Sequence, residues 1–139
     1  MPTETTAIIL EVRPVKKMRR AAGPTVGDYY RDPDGTIRIV VADFGDPRYN
    51  ALVHIHEATE LLIVEQQGIT WEAIDKYDSE RPDSEEPGDE PDCPYHAAHA
   101  AADIAERAAA VAMGVAWADY ANAFDAVDAK VRKRFGLKD

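Results

Sequence analysis

His56, Glu57 and Glu60 are the residues of this 139-residue chain whose types and spacing could do chemistry. Four positions separate His56 from Glu60, so on a helix both side chains leave the same face, one turn apart. Glu57 follows about 100° round that helix. Imidazole nitrogens and carboxylate oxygens are both good donors for zinc and related divalent cations, and a nearby free carboxylate can serve as a general base. A second polar stripe lies downstream, formed by His96, His99, Asp103 and Glu106 at spacings of three, four and three. These four also share one helical face. The chain has only four histidines, and each of the two segments holds two of them. Each segment also pairs a histidine with a carboxylate at i, i+4: His56 with Glu60, and His99 with Asp103. If the stripes face each other, His56, Glu60 and His99 form a two-histidine, one-carboxylate metal set, with Asp103 and Glu106 as additional candidates. The competing reading of the downstream stripe is a solvated face on an alanine-rich helix.

The elements that must position these residues can be read from the pattern. Tyr49 to Gln67 has apolar residues at helical spacing (Leu52, Ile55, Leu62), with Asp46 and Pro47 as an N-cap and first-turn pair and Gly68 as the C-cap. Upstream, Thr6 to Val12 and Thr36 to Ala42 predict strands; in the second, Ile37, Ile39 and Val41 alternate against Arg38. Gly27 to Asp32 leads into a turn at Pro33-Asp34-Gly35. Downstream, Thr70 predicts the N-cap of a short helix through Tyr77. Pro94 to Met113 reads as an alanine-rich helix, with ten alanines between Ala97 and Ala112, ended by Gly114. Ala116 to Phe135 reads as a final helix whose Trp117, Tyr120, Phe124, Val127 and Val131 form a core-facing stripe. The expected fold is α+β: one domain over residues 1–139, with a small N-terminal sheet packed on three main helices.

Between the helices, Asp78 to Asp92 holds eight acids, one arginine and three prolines. It predicts an acidic loop over residues 78–93, either a solvated linker or, more sharply, a lid or calcium-binding loop. Net charge is −10, which argues against a nucleic-acid duplex as partner. Charge is unevenly placed: five basic residues fall in Arg13 to Arg20 and four in Lys130 to Arg134, against only Arg48, Lys76, Arg81 and Arg107 between Ile39 and Ala129. The two ends could therefore form a small basic patch. The single Cys93 excludes an internal disulfide and fits a reducing, cytoplasmic setting. No run of apolar residues reaches the ~20 needed for a membrane span.

In this order the elements resemble those of the zincin-like peptidases. A strand (TIRIVV), a short loop, Arg48, an apolar turn and an H-E-x-x-E helix are followed by His99-x-x-Ala-Asp on a small-residue helix. In particular they resemble the small regulatory metallopeptidases encoded beside phage repressors. The chain is also similar to an uncharacterised family of small phage and bacterial proteins, matched here at Gly27 to Tyr30, His56 to Glu60 and Glu86 to Asp89. The resemblance covers roughly residues 27–106. It implies Zn²⁺ or another divalent metal on His56 and His99, with Glu57 as general base and Glu60 in the place of the usual second histidine. It also implies a zincin-like fold and an extended peptide or protein substrate, which the strand Thr36 to Val41 could take up as an edge strand. The carboxylate at position 60 departs from the H-E-x-x-H pattern. It adds negative charge and so weakens the metal as a Lewis acid, which puts peptidase activity in doubt more than metal binding. A two-histidine, one-carboxylate face also suits Fe(II).

Two other readings use the same residues. The acids alone, Glu57-x-x-Glu60 and Asp103-x-x-Glu106, are similar to the Mg²⁺-holding carboxylates of MazG-like nucleotide pyrophosphohydrolases. Alternatively the protein is a non-catalytic phage or bacterial structural or regulatory component, in which a metal only ties two helices together.

Overall fold

The computed structural model describes residues 6–19, 25–81 and 87–137. Three strands form one sheet: β1 (Ile8–Arg13), β2 (Gly27–Arg31) and β3 (Ile37–Ala42). Four helices follow: α1 (Pro47–Gln67), α2 (Trp71–Ser79), α3 (His96–Met113) and α4 (Trp117–Arg134). The architecture is α+β, with the sheet at the N-terminal side of the chain and the helices packed against it.

Strand order is β1-β3-β2, with β3 parallel to β1 and antiparallel to β2. This overturns the expectation that Thr36 to Val41 is an edge strand. β3 is central, its backbone taken up on both sides, and a peptide cannot add to it. Its composition explains the place: Ile37, Ile39, Val40, Val41 and Ala42 are all buried, a near-continuous apolar run suited to a strand covered on both faces. The segment GDYYR is itself a strand rather than only the approach to a turn. It closes a hairpin with β3 through Pro33-Asp34-Gly35, where Gly35 takes a φ of +89°. Tyr29 holds β2 to the helical layer, its ring meeting Trp71 edge-on at 5.4 Å.

Helix α1 begins as its sequence dictates. Asp46 Oδ1 accepts from the Arg48 N–H, Pro47 fills the first turn, and Gly68 ends the helix at φ +69°. Thr70 Oγ1 likewise accepts from the Ala73 N–H to start α2, which runs two residues beyond Tyr77 to Ser79. Leu61 of α1 packs on Ile37 and Ile39 of β3, while Leu52 and Val53 join Val40, Val41 and α4 residues Tyr120, Val127 and Val131 in the main core. Helix α3 lies along α1. Ala98 and Ala102 are fully buried, and side chains this small let the two backbones approach closely. That approach brings the two polar stripes together.

No described helix is long and apolar enough to cross a membrane.

Candidate metal centre

Three donor atoms converge between α1 and α3. His56 Nε2 lies 3.3 Å from His99 Nδ1 and 3.5 Å from Glu60 Oε2, and His99 Nδ1 lies 3.1 Å from the same Glu60 oxygen. Two corners are buried, His99 at 5% exposed and Glu60 at 6%, and His56 is partly buried. Local helix geometry supplies one edge, since His56 and Glu60 are one turn apart on α1. Tertiary packing supplies the other two.

Each corner is held from outside by a second group. The other nitrogen of His56, Nδ1, donates to Glu106 Oε1 at 2.8 Å, a contact that favours the protonated ring. Glu106 in turn accepts from the Tyr120 hydroxyl at 2.5 Å. His99 Nε2 lies 3.1 Å from Asp89 Oδ1. Glu60 Oε1 accepts from the Tyr29 hydroxyl at 3.1 Å. Histidines that bind metals commonly give their remote N–H to a carboxylate, which fixes tautomer and ring orientation.

Electrostatics follow from this crowding. Burial alone would lower the His56 pKa, but hydrogen bonds to Glu106 and Glu60 and the charge of Glu57 outweigh it and push the ring up to about 11. For Glu60, burial works to raise the carboxyl, yet the contacts with His56 and His99 hold it below the ordinary range. Asp28 and Asp78, on the β2 and α2 walls, are pushed up to about 6, chiefly by burial. Asp78 nevertheless accepts a 2.5 Å hydrogen bond from Tyr95.

The sequence-predicted residues fall into distinct places. His56, Glu60 and His99 form the triangle. Glu106 sits behind His56 rather than beside the other donors. Asp103 is half-exposed and spans the outer nitrogens, 3.4 Å from His56 Nδ1 and 3.7 Å from His99 Nε2. His56, His99 and Asp103 also offer atoms within 4.8 Å of one another, a second set that could hold a cation. The inner set is the better built. Its edges are shorter, and each outer nitrogen already has a nearer carboxylate in Glu106 or Asp89. Glu57 is elsewhere on α1: its side chain is close to Gly27, where an added Cβ would come within 2.7 Å of Oε1. It lines the same cavity of about 310 Å³ as His56, Glu60 and His99, together with Asp28 and Asp78. His96 leaves the cluster altogether and bonds the Gly88 carbonyl at 2.9 Å.

Sequence reasoning missed Tyr29, Tyr120, Asp89 and two glycines. Gly88, in the 3-10 turn Pro87–Asp89, presses on His99: a Cβ there would lie 2.5 Å from the ring Cγ. Gly27 plays the same part beside Glu57. The only signal for them was their place in the GDYY and EPGD segments. No family model matches the chain, and no curated protein or solved structure matches it.

Proposed function

We propose that the triangle is a divalent-metal centre held by His56, Glu60 and His99, and that the protein is a zincin-like hydrolase with Glu57 as its general base. One observation carries this reading: the three inner donor atoms stand 3.1, 3.3 and 3.5 Å apart. Ligands bound tetrahedrally at 2.0–2.1 Å to zinc are separated by about 3.3 Å. The donor chemistry fits as well, with two imidazoles and one anionic carboxylate, each oriented by an outer partner.

When bound, the cation would polarise a carbonyl and acidify a water molecule. Glu57 lines the same cavity, where it would take that water's proton and return it to the leaving group. Glu60 lends a negative charge that tempers this activation. Its Tyr29 hydrogen bond draws off part of that charge. With a cation bound, Glu106 and Tyr120 would hold the remaining His56 proton on Nδ1, leaving the Nε2 lone pair to point inward.

An extended peptide remains the substrate class proposed, with β2 in the role expected of β3. Gly27, Asp28 and Tyr29 line the cavity, and among the described residues no strand pairs with the outer edge of β2. The buried lone cysteine, Cys93, accords with a reducing cytoplasmic setting.

The magnesium pyrophosphohydrolase reading is less well supported. Two of its four carboxylates, Glu60 and Glu106, are engaged by histidine nitrogens, which magnesium disfavours. The test combines elemental analysis and X-ray absorption with Glu57→Gln. Stoichiometric zinc or iron with nitrogen ligands, and peptide hydrolysis lost in a Glu57→Gln variant that keeps its metal, support the proposal. Metal retained with no hydrolysis in either protein leaves a structural tie between α1 and α3. An oxygen-only magnesium site, or no metal, overturns the centre itself.

A further inference from the structure

Outside the lining of the cavity, β1 carries large exposed apolar side chains. Ile8, Leu10 and Val12, on one face, are 43%, 58% and 45% exposed. β1 is also an edge strand, and among the described residues nothing pairs with its outer side. Its backbone alternates. The Ile37 N–H donates to the Ala7 carbonyl and the Asp43 N–H to the Arg13 carbonyl, so the odd-numbered residues turn their peptide groups toward β3. The peptide groups of Ile8, Leu10 and Val12 therefore face outward. An exposed, apolar, unpaired edge is the feature that folded proteins ordinarily blunt.

The two basic ends of the sequence meet at the C-terminal end of this strand. β1 runs directly into the 3-10 turn Val15–Lys17, which packs on α4. Val15 and Met18 share a core cluster with Val131 and Phe135. Lys16, Lys17, Lys130, Lys133 and Arg134 are all exposed, and none forms an ion pair with a described residue. On a chain of net charge −10, five cations without an ion pair among the described residues, gathered where β1 ends, make a local field opposite to that of the molecule; Arg134 also stacks over the Phe135 ring.

We propose that the outer edge of β1 and this cationic cluster together bind an extended polypeptide that alternates apolar side chains and carries an acidic run at one end. The open peptide groups supply main-chain hydrogen bonds, the apolar face supplies side-chain contact, and the cluster selects the acidic run. None of β1 lines the cavity, so this segment belongs to a partner rather than to the hydrolase's substrate.

Fluorescence anisotropy tests it with a short labelled peptide, an acidic run followed by alternating valine and threonine. A second peptide has lysines in place of the acids. The acidic peptide should bind and the lysine peptide should not, with affinity falling as salt is raised. Leu10→Pro removes an outward N–H without touching the ladder to β3, and should abolish binding while the melting temperature stays within a few degrees. Should proline at position 10 unfold the strand, K16E/K17E serves instead, weakening binding about tenfold with β1 intact. Binding that ignores both variants, or that is equal for the two peptides, overturns the proposal. So does adsorption to anionic phospholipid vesicles without peptide binding. A dimer in sedimentation that Leu10→Pro dissolves would make a second copy the occupant and equally overturn it.

Discussion

His56 and His99 lie 43 residues apart in sequence and on different helices, yet their rings meet edge to face, with centroids 4.8 Å apart, planes at 68° and inner nitrogens 3.3 Å apart. Two N–H groups cannot both point into that gap. One ring can donate to the other, both N–H groups can turn to the shared Glu60 oxygen, or both lone pairs can aim at a cation. Glu60, touching both nitrogens, makes the last state electrostatically favourable. Much of what can be tested follows from this one contact.

The outer partners should matter to affinity and little to folding. Glu106→Gln removes the carboxylate behind His56 and is expected to weaken zinc binding about 10–100-fold. Tyr120→Phe, one bond further out, should cost less. Competition with a chromophoric chelator reads both, and equal affinities for all three proteins would show that Glu106 does not orient the ring.

Gly88→Ala should damage the centre through packing alone. Its methyl group would arrive 2.5 Å from His99 Cγ, so the turn or the ring must move. Overpacking of this kind costs about 1–3 kcal/mol. The expected signature is a zinc affinity loss larger than the drop in melting temperature would suggest. A variant with unchanged affinity would mean that the turn yields instead of the histidine.

Proton competition should govern metal uptake. In the metal-free protein His56 is raised to about 11, so it carries a proton at neutral pH that binding must expel. Apparent zinc affinity should therefore rise about tenfold per unit over roughly pH 6 to 9. A flat profile in an isothermal titration series run in several buffers would contradict this.

Stability of the metal-free protein should also follow pH, with a definite sign. A histidine raised from 6.5 to about 11 contributes stability that is fully present below 6.5 and lost as pH climbs through about 11. Asp28, raised from 3.8 to about 6, contributes stability present below 3.8 and lost as pH climbs through about 6. Urea denaturation of Asp28→Asn should accordingly lack part of the wild-type decline between those two values. If the difference between the two proteins does not change over that interval, Asp28 does not titrate as its burial implies.

Much of this was legible in the residues. Asp46-Pro47, Gly68, Thr70 and Gly114 mark helix limits because caps are local chemistry, and the structure uses all four. The two histidine–carboxylate pairs were visible because helical spacing is also local. What escaped depends on tertiary structure. β3 reads as an alternating strand whether it lies at the edge or the centre, and only the pairing of GDYYR reveals which. GDYYR itself was missed because its Gly-Asp start looks like a turn. Yet the glycine is there to pass Glu57, and Asp28 is half-buried beside Arg19 at 2.8 Å. Tyr120 belonged to an apolar stripe, and its ring is indeed in the core, but its hydroxyl reaches Glu106 on another helix. Asp89 was hidden in a stretch whose composition suggests solvent, since nothing in a run of acids marks the one that touches a histidine.

The alanines of α3 have a consequence beyond letting two helices touch. Ala98, Ala102 and Ala110, all buried, have no rotamers to lose on folding, so the wall on which His99 and Glu106 stand has almost no side-chain disorder of its own. Fluctuation is left to the few polar side chains, and these are tied to one another. The pocket's shape is thus set in advance of any ligand, and binding there should carry little entropic penalty from the protein.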